Sequence, residues 1–196
     1  MGTQQIDGTR QIIPGTISGG GGGGGGSLVL LESHSASGSA TLDFTAAFTS
    51  TYDTYVVELQ QLVGSAAANL QLRYSTDGGA TYDSGSNYKW VGTYYNAAGA
   101  TGVSNSNSAT ACVLIGIVKA ASTNGGASGR IEIAHPLGSA YKSYVGQITV
   151  AHNDGNYYGF TVAGWYLQTT AVNAVRFLFD SGTIASGTIR IYGVAK

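Results

Sequence analysis

The sequence predicts an all-β fold: an antiparallel β-sandwich, a jelly-roll-like head behind an extended N-terminal anchor peptide. Three observations lead there. From Ser27 onward apolar and polar residues alternate over short runs, the period of a strand with one face in a core and the other in water. Clusters of Gly, Ser, Thr and Asn interrupt those runs at fairly regular spacing. No stretch of ten or more residues carries a helical apolar stripe, and Ala66 to Ala68 is too short to start one.

Residues 1–18, MGTQQIDGTRQIIPGTIS, come first. They lack the basic start and continuous apolar run of a secretory signal, so folding in the cytoplasm is expected. Ile6, Ile12, Ile13 and Ile17, with the turn signal at Pro14, do not make a core of their own. The segment is either a tail or a docking peptide that orders against a larger assembly. In the second case Ile12, Ile13 and Ile17 fill pockets or pair with an exposed strand edge. Gly19, Gly20, Gly21, Gly22, Gly23, Gly24, Gly25 and Gly26 follow. Polyglycine buries no side chain and loses the most backbone entropy on ordering. It reads as a tether with a reach of about 15 Å, or as glycine strands packed around a common axis.

The head occupies 27–196. Tyr55, Val57 and Leu59 alternate with Val56, Glu58 and Gln60; Leu70, Leu72 and Tyr74 alternate with Gln71 and Arg73. Ile131 and Ile133 flank Glu132, and Ile189 and Ile191 flank Arg190. Strands are expected near 28–33, 39–44, 53–62, 69–75, 87–95, 110–119, 129–135, 143–152, 157–166, 173–179 and 187–194. The run from Cys112 through Val118 is apolar on both faces, which suits a central strand or one under a subunit contact. The segments 96–110 and 120–129 are rich in Gly, Ser, Asn and Ala and read as long exposed loops.

Composition excludes several functions. Charged residues are 10% of the chain, against about 25% in an average soluble protein. The net charge is -1, which leaves no basic stripe for nucleic acid and no polybasic membrane anchor. No run of about 18 apolar residues would insert in a membrane. One cysteine, Cys112, gives no disulfide framework, and it sits in the most apolar strand as a core residue.

Ser75 to Tyr82, STDGGATY, resembles the Asp-box pattern, in which an aspartate and a glycine rigidify a β-hairpin turn. It occurs once, so it reads as structural rather than as part of a glycosidase. Asp77 and Asp83 are too few carboxylates for a calcium site. His34, His135 and His152 show no metal-ligand spacing, and no nucleophile elbow or acid pair is present. Neither an enzyme nor a cofactor is expected. The aromatic residues Tyr88, Trp90, Tyr94, Tyr95, Tyr157 and Tyr158 are the candidates for surface recognition, since stiff amphipathic rings stack on sugars and anchor protein contacts. Alternation puts Tyr88, Trp90 and Tyr94 on one face and Tyr95 on the other. At least half of the aromatic rings should serve the core or a subunit interface.

The ending Ser186-Gly187-Thr188-Ile189-Arg190-Ile191-Tyr192-Gly193 resembles the final strand, of the type GTIRLYG, of small tail-fibre, head-fibre and decoration-type virion proteins of tailed bacteriophages. The stretch 70–88 is similar to hairpins of the same group. The resemblance implies a jelly-roll-like head, a homotrimer, and a place on the capsid, collar or tail with a host-surface glycan in reach. There are no heptads and no repeated shaft, so a short fibre or decoration protein is the form implied. The expectation is a non-enzymatic virion protein, assembled in the host bacterial cytoplasm and docked to other virion proteins by its N-terminus. The alternative is a carbohydrate-binding module of a bacterial surface or secreted system.

Overall fold

A computed structural model describes residues 27–120 and 126–196. The anchor peptide with Ile6, Ile12, Ile13, Pro14 and Ile17 lies outside the described residues. So do the glycine run and residues 121–125 of the expected second loop.

The alternation seen in the sequence sorts side chains between two layers. Tyr55, Val57 and Leu59 are buried, while Glu58 and Gln60 face out. The described residues form twelve strands and no helix: β1 (Leu28–Ser39), β2 (Thr41–Phe44), β3 (Thr54–Gly64), β4 (Ala68–Ser75), β5 (Tyr88–Asn96), β6 (Thr101–Ala109), β7 (Cys112–Val118), β8 (Ala127–Ala134), β9 (Lys142–Ala151), β10 (Tyr157–Tyr166), β11 (Ala174–Phe179) and β12 (Ile184–Val194). They build an eight-stranded sheet, β1-β12-β3-β8-β9-β10-β5-β6, and a four-stranded sheet, β2-β11-β4-β7. The pairs β2·β11, β3·β8, β4·β7 and β5·β6 are antiparallel and nested one inside the next. That nesting is a jelly-roll wrapping, with β9 and β10 inserted and β1 and β12 added at one side. The fold is the all-β sandwich that the sequence predicts.

Four local expectations need correction. The segment 96–110 is not a loop but a tight turn followed by β6, paired with β5 from Tyr95↔Thr101 to Tyr88↔Ala109. Asn96 makes the turn: its Oδ1 accepts the Ala98 and Ala100 amides at 3.1 and 2.8 Å, and Gly99 takes φ 84°. Cross-strand pairing holds β6 despite the weak β preference of Ser and Asn. β7 is not central. It is an edge strand of the small sheet, and its inner residues are covered by the large sheet instead. The Asp box is not a hairpin turn either, because β4 and β5 belong to different sheets. It is the start of a crossover. The second expected loop is shorter than foreseen, since β8 already begins at Ala127.

The core lies between the sheets, with Phe44 and Phe177 edge-to-face at 5.8 Å and Leu70, Leu72, Leu114, Ile189 and Ile191 around them. One buried charge stands out. Lys142 is fully buried at the start of β9, and its ammonium donates to the carbonyls of Gly138 and Ala140 at 2.6 Å each. The carbonyls of Gln168 and Thr169 lie at 3.4 and 3.3 Å. Burial pulls its pKa below the ordinary lysine value. The side chain thus ties the loop before β9 to the one after β10 without any carboxylate. Replacing it with Lys142→Met leaves buried carbonyls without a donor and should lower unfolding stability by about 3 kcal/mol in urea titration. A loss under about 0.5 kcal/mol, the size of an ordinary surface change, would show that the tie is dispensable.

Candidate functional site

The Asp-box turn is a closed hydrogen-bond network. Ser75 Oγ donates to Asp77 Oδ1 at 2.7 Å and accepts the Gly79 amide at 2.9 Å. Thr81 donates its amide to Asp77 Oδ1 and its hydroxyl to Oδ2, at 2.9 and 2.6 Å. Gly78 and Gly79 take φ of 75° and 90°, and the Asp83 amide closes back on the Tyr74 carbonyl at 2.9 Å. The Thr81 hydroxyl and amide, with the Ser75 hydroxyl, hold Asp77 from 3.8 down to about 2. Asp83 is engaged in the same manner: Oδ1 accepts the Gly85 amide, while Oδ2 accepts Asn87 and Tyr166 Oη. Both carboxylates are spent on holding the crossover in shape.

The histidines lie apart in the fold. His34 on β1 bonds Glu32 at 2.8 Å and packs edge-on against Phe44. His135 follows β8 with φ 44° and Asp53 3.9 Å away. His152 opens the β9–β10 turn, 2.9 Å from Asp154. Among the described residues no three His, Cys, Asp or Glu side chains group as metal ligands. Cys112 is buried, and burial raises its thiol to about 12.

The six aromatic candidates divide. Tyr88 is a correction: it is 0% exposed and cannot meet a partner. Its ring packs in a triangle with those of Tyr74 and Tyr166, with centroids at 6.4 and 4.9 Å. Its hydroxyl donates to the Asp83 carbonyl and accepts the Tyr74 amide. Trp90 and Tyr94 share its face of β5, as alternation requires, and are half-buried against the core. Trp90 Nε1 is buried with no acceptor among the described residues. Tyr158 is also half-buried; its ring meets His152 at 4.5 Å and Tyr94 at 5.6 Å, and its hydroxyl donates to Asp154 at 2.7 Å. Tyr95 and Tyr157 point the other way and are 62% and 57% exposed.

These residues mark two concave surfaces. The first is a cleft of about 580 Å³ at the seam of the sandwich, where β5 and β6 outrun the small sheet. Its floor is Trp90, Tyr94, Phe160 and Val162; its walls are Val113 to Gly116 of β7 and Val103 to Asn105 of β6. The second, about 430 Å³, lies on the outer face of the large sheet and is bounded by Tyr95, Asn96, Ala97, Thr149 and Tyr157. The Tyr95 ring lies over Gly159, where any Cβ would collide with it, so the glycine fixes the ring's position. Among the described residues no Asp, Glu, Lys or Arg lines either surface, and His152 lies at the seam. The sequence names Trp90, Tyr94, Tyr95 and Tyr157, but not the walls. Those come from two edge strands whose places only the topology reveals.

Comparison with protein-family models, with curated proteins and with solved structures finds no match for this chain.

A carboxyl held low in the fold contributes stability above its unfolded value of 3.8, and that contribution is lost as pH falls toward 2. In carboxyl NMR titration Asp77 should show a midpoint near 2, and Thr81→Val should move it up toward 3.8. A wild-type midpoint near 3.8 would mean that the turn network does not form in solution.

Proposed function

We propose that this chain is a non-enzymatic structural protein of a tailed-bacteriophage virion. It is a short fibre or decoration protein docked through residues 1–18, with its β head turned outward. One observation carries this reading. The head's chain enters at Leu28, on the first strand of the large sheet, while the Tyr95–Tyr157 groove lies on the sixth and seventh. Leu28 and Tyr95 are six strand spacings apart, about 29 Å. Pairing register also puts them at opposite ends of their strands. A head held at the Leu28 corner therefore presents its exposed tyrosines away from the attachment. The terminal motif supports the fold half of the reading: Ile189 and Ile191 are fully buried in β12, between β1 and β3. Trimerisation would cover Val145 and Trp165, which stand 54% and 44% exposed on the outer face.

A carbohydrate-binding module is the second reading, favoured by the uncharged Tyr95–Tyr157 groove. Two exposed rings at the rim of a shallow, mostly apolar depression suit the faces of neutral sugars.

Deletion of residues 1–26 should leave a chain with unchanged far-ultraviolet circular dichroism that no longer joins particles. Normal incorporation of that truncation would end the anchoring idea. Glycan binding by the free chain, lost on Tyr95→Ala in a protein that never associates with virions, would favour the second reading instead.

A further inference from the structure

The groove beside Tyr95 and Tyr157 does not end at those rings. A second depression, of about 330 Å³, shares Tyr95, Thr149 and Gly159 with it and adds Ser128, Gln147 and Thr161. A third, of about 600 Å³, shares Ser128 and Gln147 with the second and continues to Glu58, Gln60, Arg130 and Arg190. Pairing register joins them into one path: Thr161 lies opposite Gln147, Gln147 opposite Arg130, Arg130 opposite Glu58, and Glu58 opposite Arg190. The path crosses the strands on the outer face of the large sheet. It runs from β5 over β10, β9, β8 and β3 to β12, five strand spacings or about 24 Å. Val145 and Trp165 stand to one side of it, toward the other end of β9 and β10. A copy of the chain that covers those two leaves the path open.

The face itself limits what can lie there. Each strand beneath the path is paired on both sides, so its main chain is taken up by ladders and side chains do the recognising. A peptide that binds by strand addition finds no edge here. The side chains offered are hydroxyls, carboxamides and guanidinium groups, which bond well to hydroxyls. Ser128 Oγ accepts the Gln61 amide at 2.9 Å and so keeps its own hydrogen to donate. Charge does not select an ion. Arg130 and Arg190 are offset by Glu58, which lies 3.7 Å from Arg190, and by Glu132, the next outward residue of β8. At the β5 end the Tyr95 ring is held over Gly159 with the residue 62% exposed, so one ring face rests on the sheet and the other is open. We propose that this path binds an extended, uncharged oligosaccharide laid across the strands, with one sugar stacked on Tyr95 and the following sugars bonded over Gln147 and Arg130. Sugar rings supply both an apolar face for the tyrosine and hydroxyl edges for the polar side chains. The proposal rests on the reading of the Tyr95–Tyr157 groove as a sugar site, and it lengthens the guest from a single ring to a chain.

The test is calorimetric titration of the full-length chain with cello-, malto- and chito-oligosaccharides from disaccharide to hexasaccharide. In at least one series the hexasaccharide should bind about tenfold more tightly than the disaccharide, the size of one or two net hydrogen bonds. Tyr95→Ala should abolish binding of both lengths. Gln147→Ala lies outside the Tyr95–Tyr157 groove; it should remove the hexasaccharide's advantage and leave the disaccharide unchanged. Tyr95 and Gln147 are both exposed, so neither change should alter the far-ultraviolet circular dichroism. Equal affinity for short and long chains, with Gln147→Ala silent, would overturn the extended path while the groove reading stands. Tighter binding of hexagalacturonate than of every neutral hexasaccharide would overturn the uncharged guest. No binding at any length would overturn the sugar reading, and this inference with it.

Discussion

A sheet of eight strands has to be covered by a sheet of four. Every unusual feature of the molecule answers that mismatch. Over the middle, β2, β11, β4 and β7 supply Leu42, Phe44, Leu70, Leu72 and Phe177 as an ordinary two-layer core. Beside β3, the segment between β2 and β3 folds inward, and Ala47 and Phe48 are buried. Phe48 packs against Tyr55 at 4.8 Å, and Tyr55 Oη donates to the Thr49 carbonyl while accepting the Thr49 amide. At the β9–β10 end two loops close over the sheet and are tied by Lys142. At the β5–β6 end the small sheet reaches only as far as β7, and Tyr94, Tyr158 and Phe160 cover one another with centroids 5.6 to 5.9 Å apart. The seam is where this last solution stops.

Low charge makes the few ionic contacts local. Arg176 is the clearest case. It pairs with Asp43 through two bonds of 2.7 and 2.6 Å across the β11–β2 register, and its guanidinium sits 4.0 Å above the Tyr82 ring. The bidentate geometry and the ring fix the end of the Asp box against the outer face of the small sheet. Asp77 and Asp83 each accept three hydrogen bonds inside the crossover, so the acidic residues there hold shape.

Period-two alternation made β3, β4, β8 and β12 legible, and it correctly separated Trp90 and Tyr94 from Tyr95. It could not place Tyr88, because a buried and an exposed tyrosine look alike until the neighbouring sheet is known; only Tyr74 and Tyr166, brought in by the fold, make Tyr88 interior. It missed β6 because Ser104, Ser106 and Ser108 carry no apolar signal, and an edge strand needs little. It misjudged β7 because an apolar run reports burial, not position in a sheet, and the large sheet can bury an edge strand as well as two neighbours can. Lys142 gave no sign at all. Its partners are backbone carbonyls from four residues, and a carbonyl acceptor leaves no trace in the sequence.

The nested pairing has a consequence for how the chain is made. β1 and β3 both pair with β12, and β2 pairs with β11. The outermost partners are thus the last of the head's strands to be made. Until they emerge, β1 and β2 have no strand to pair with, and β3 has β8 on one side only. The head is therefore completed only once β12 has been made, by closing long stretches of chain, which is the slow regime for a domain of this size. A head lacking β12 would lose the strand that joins β1 to β3.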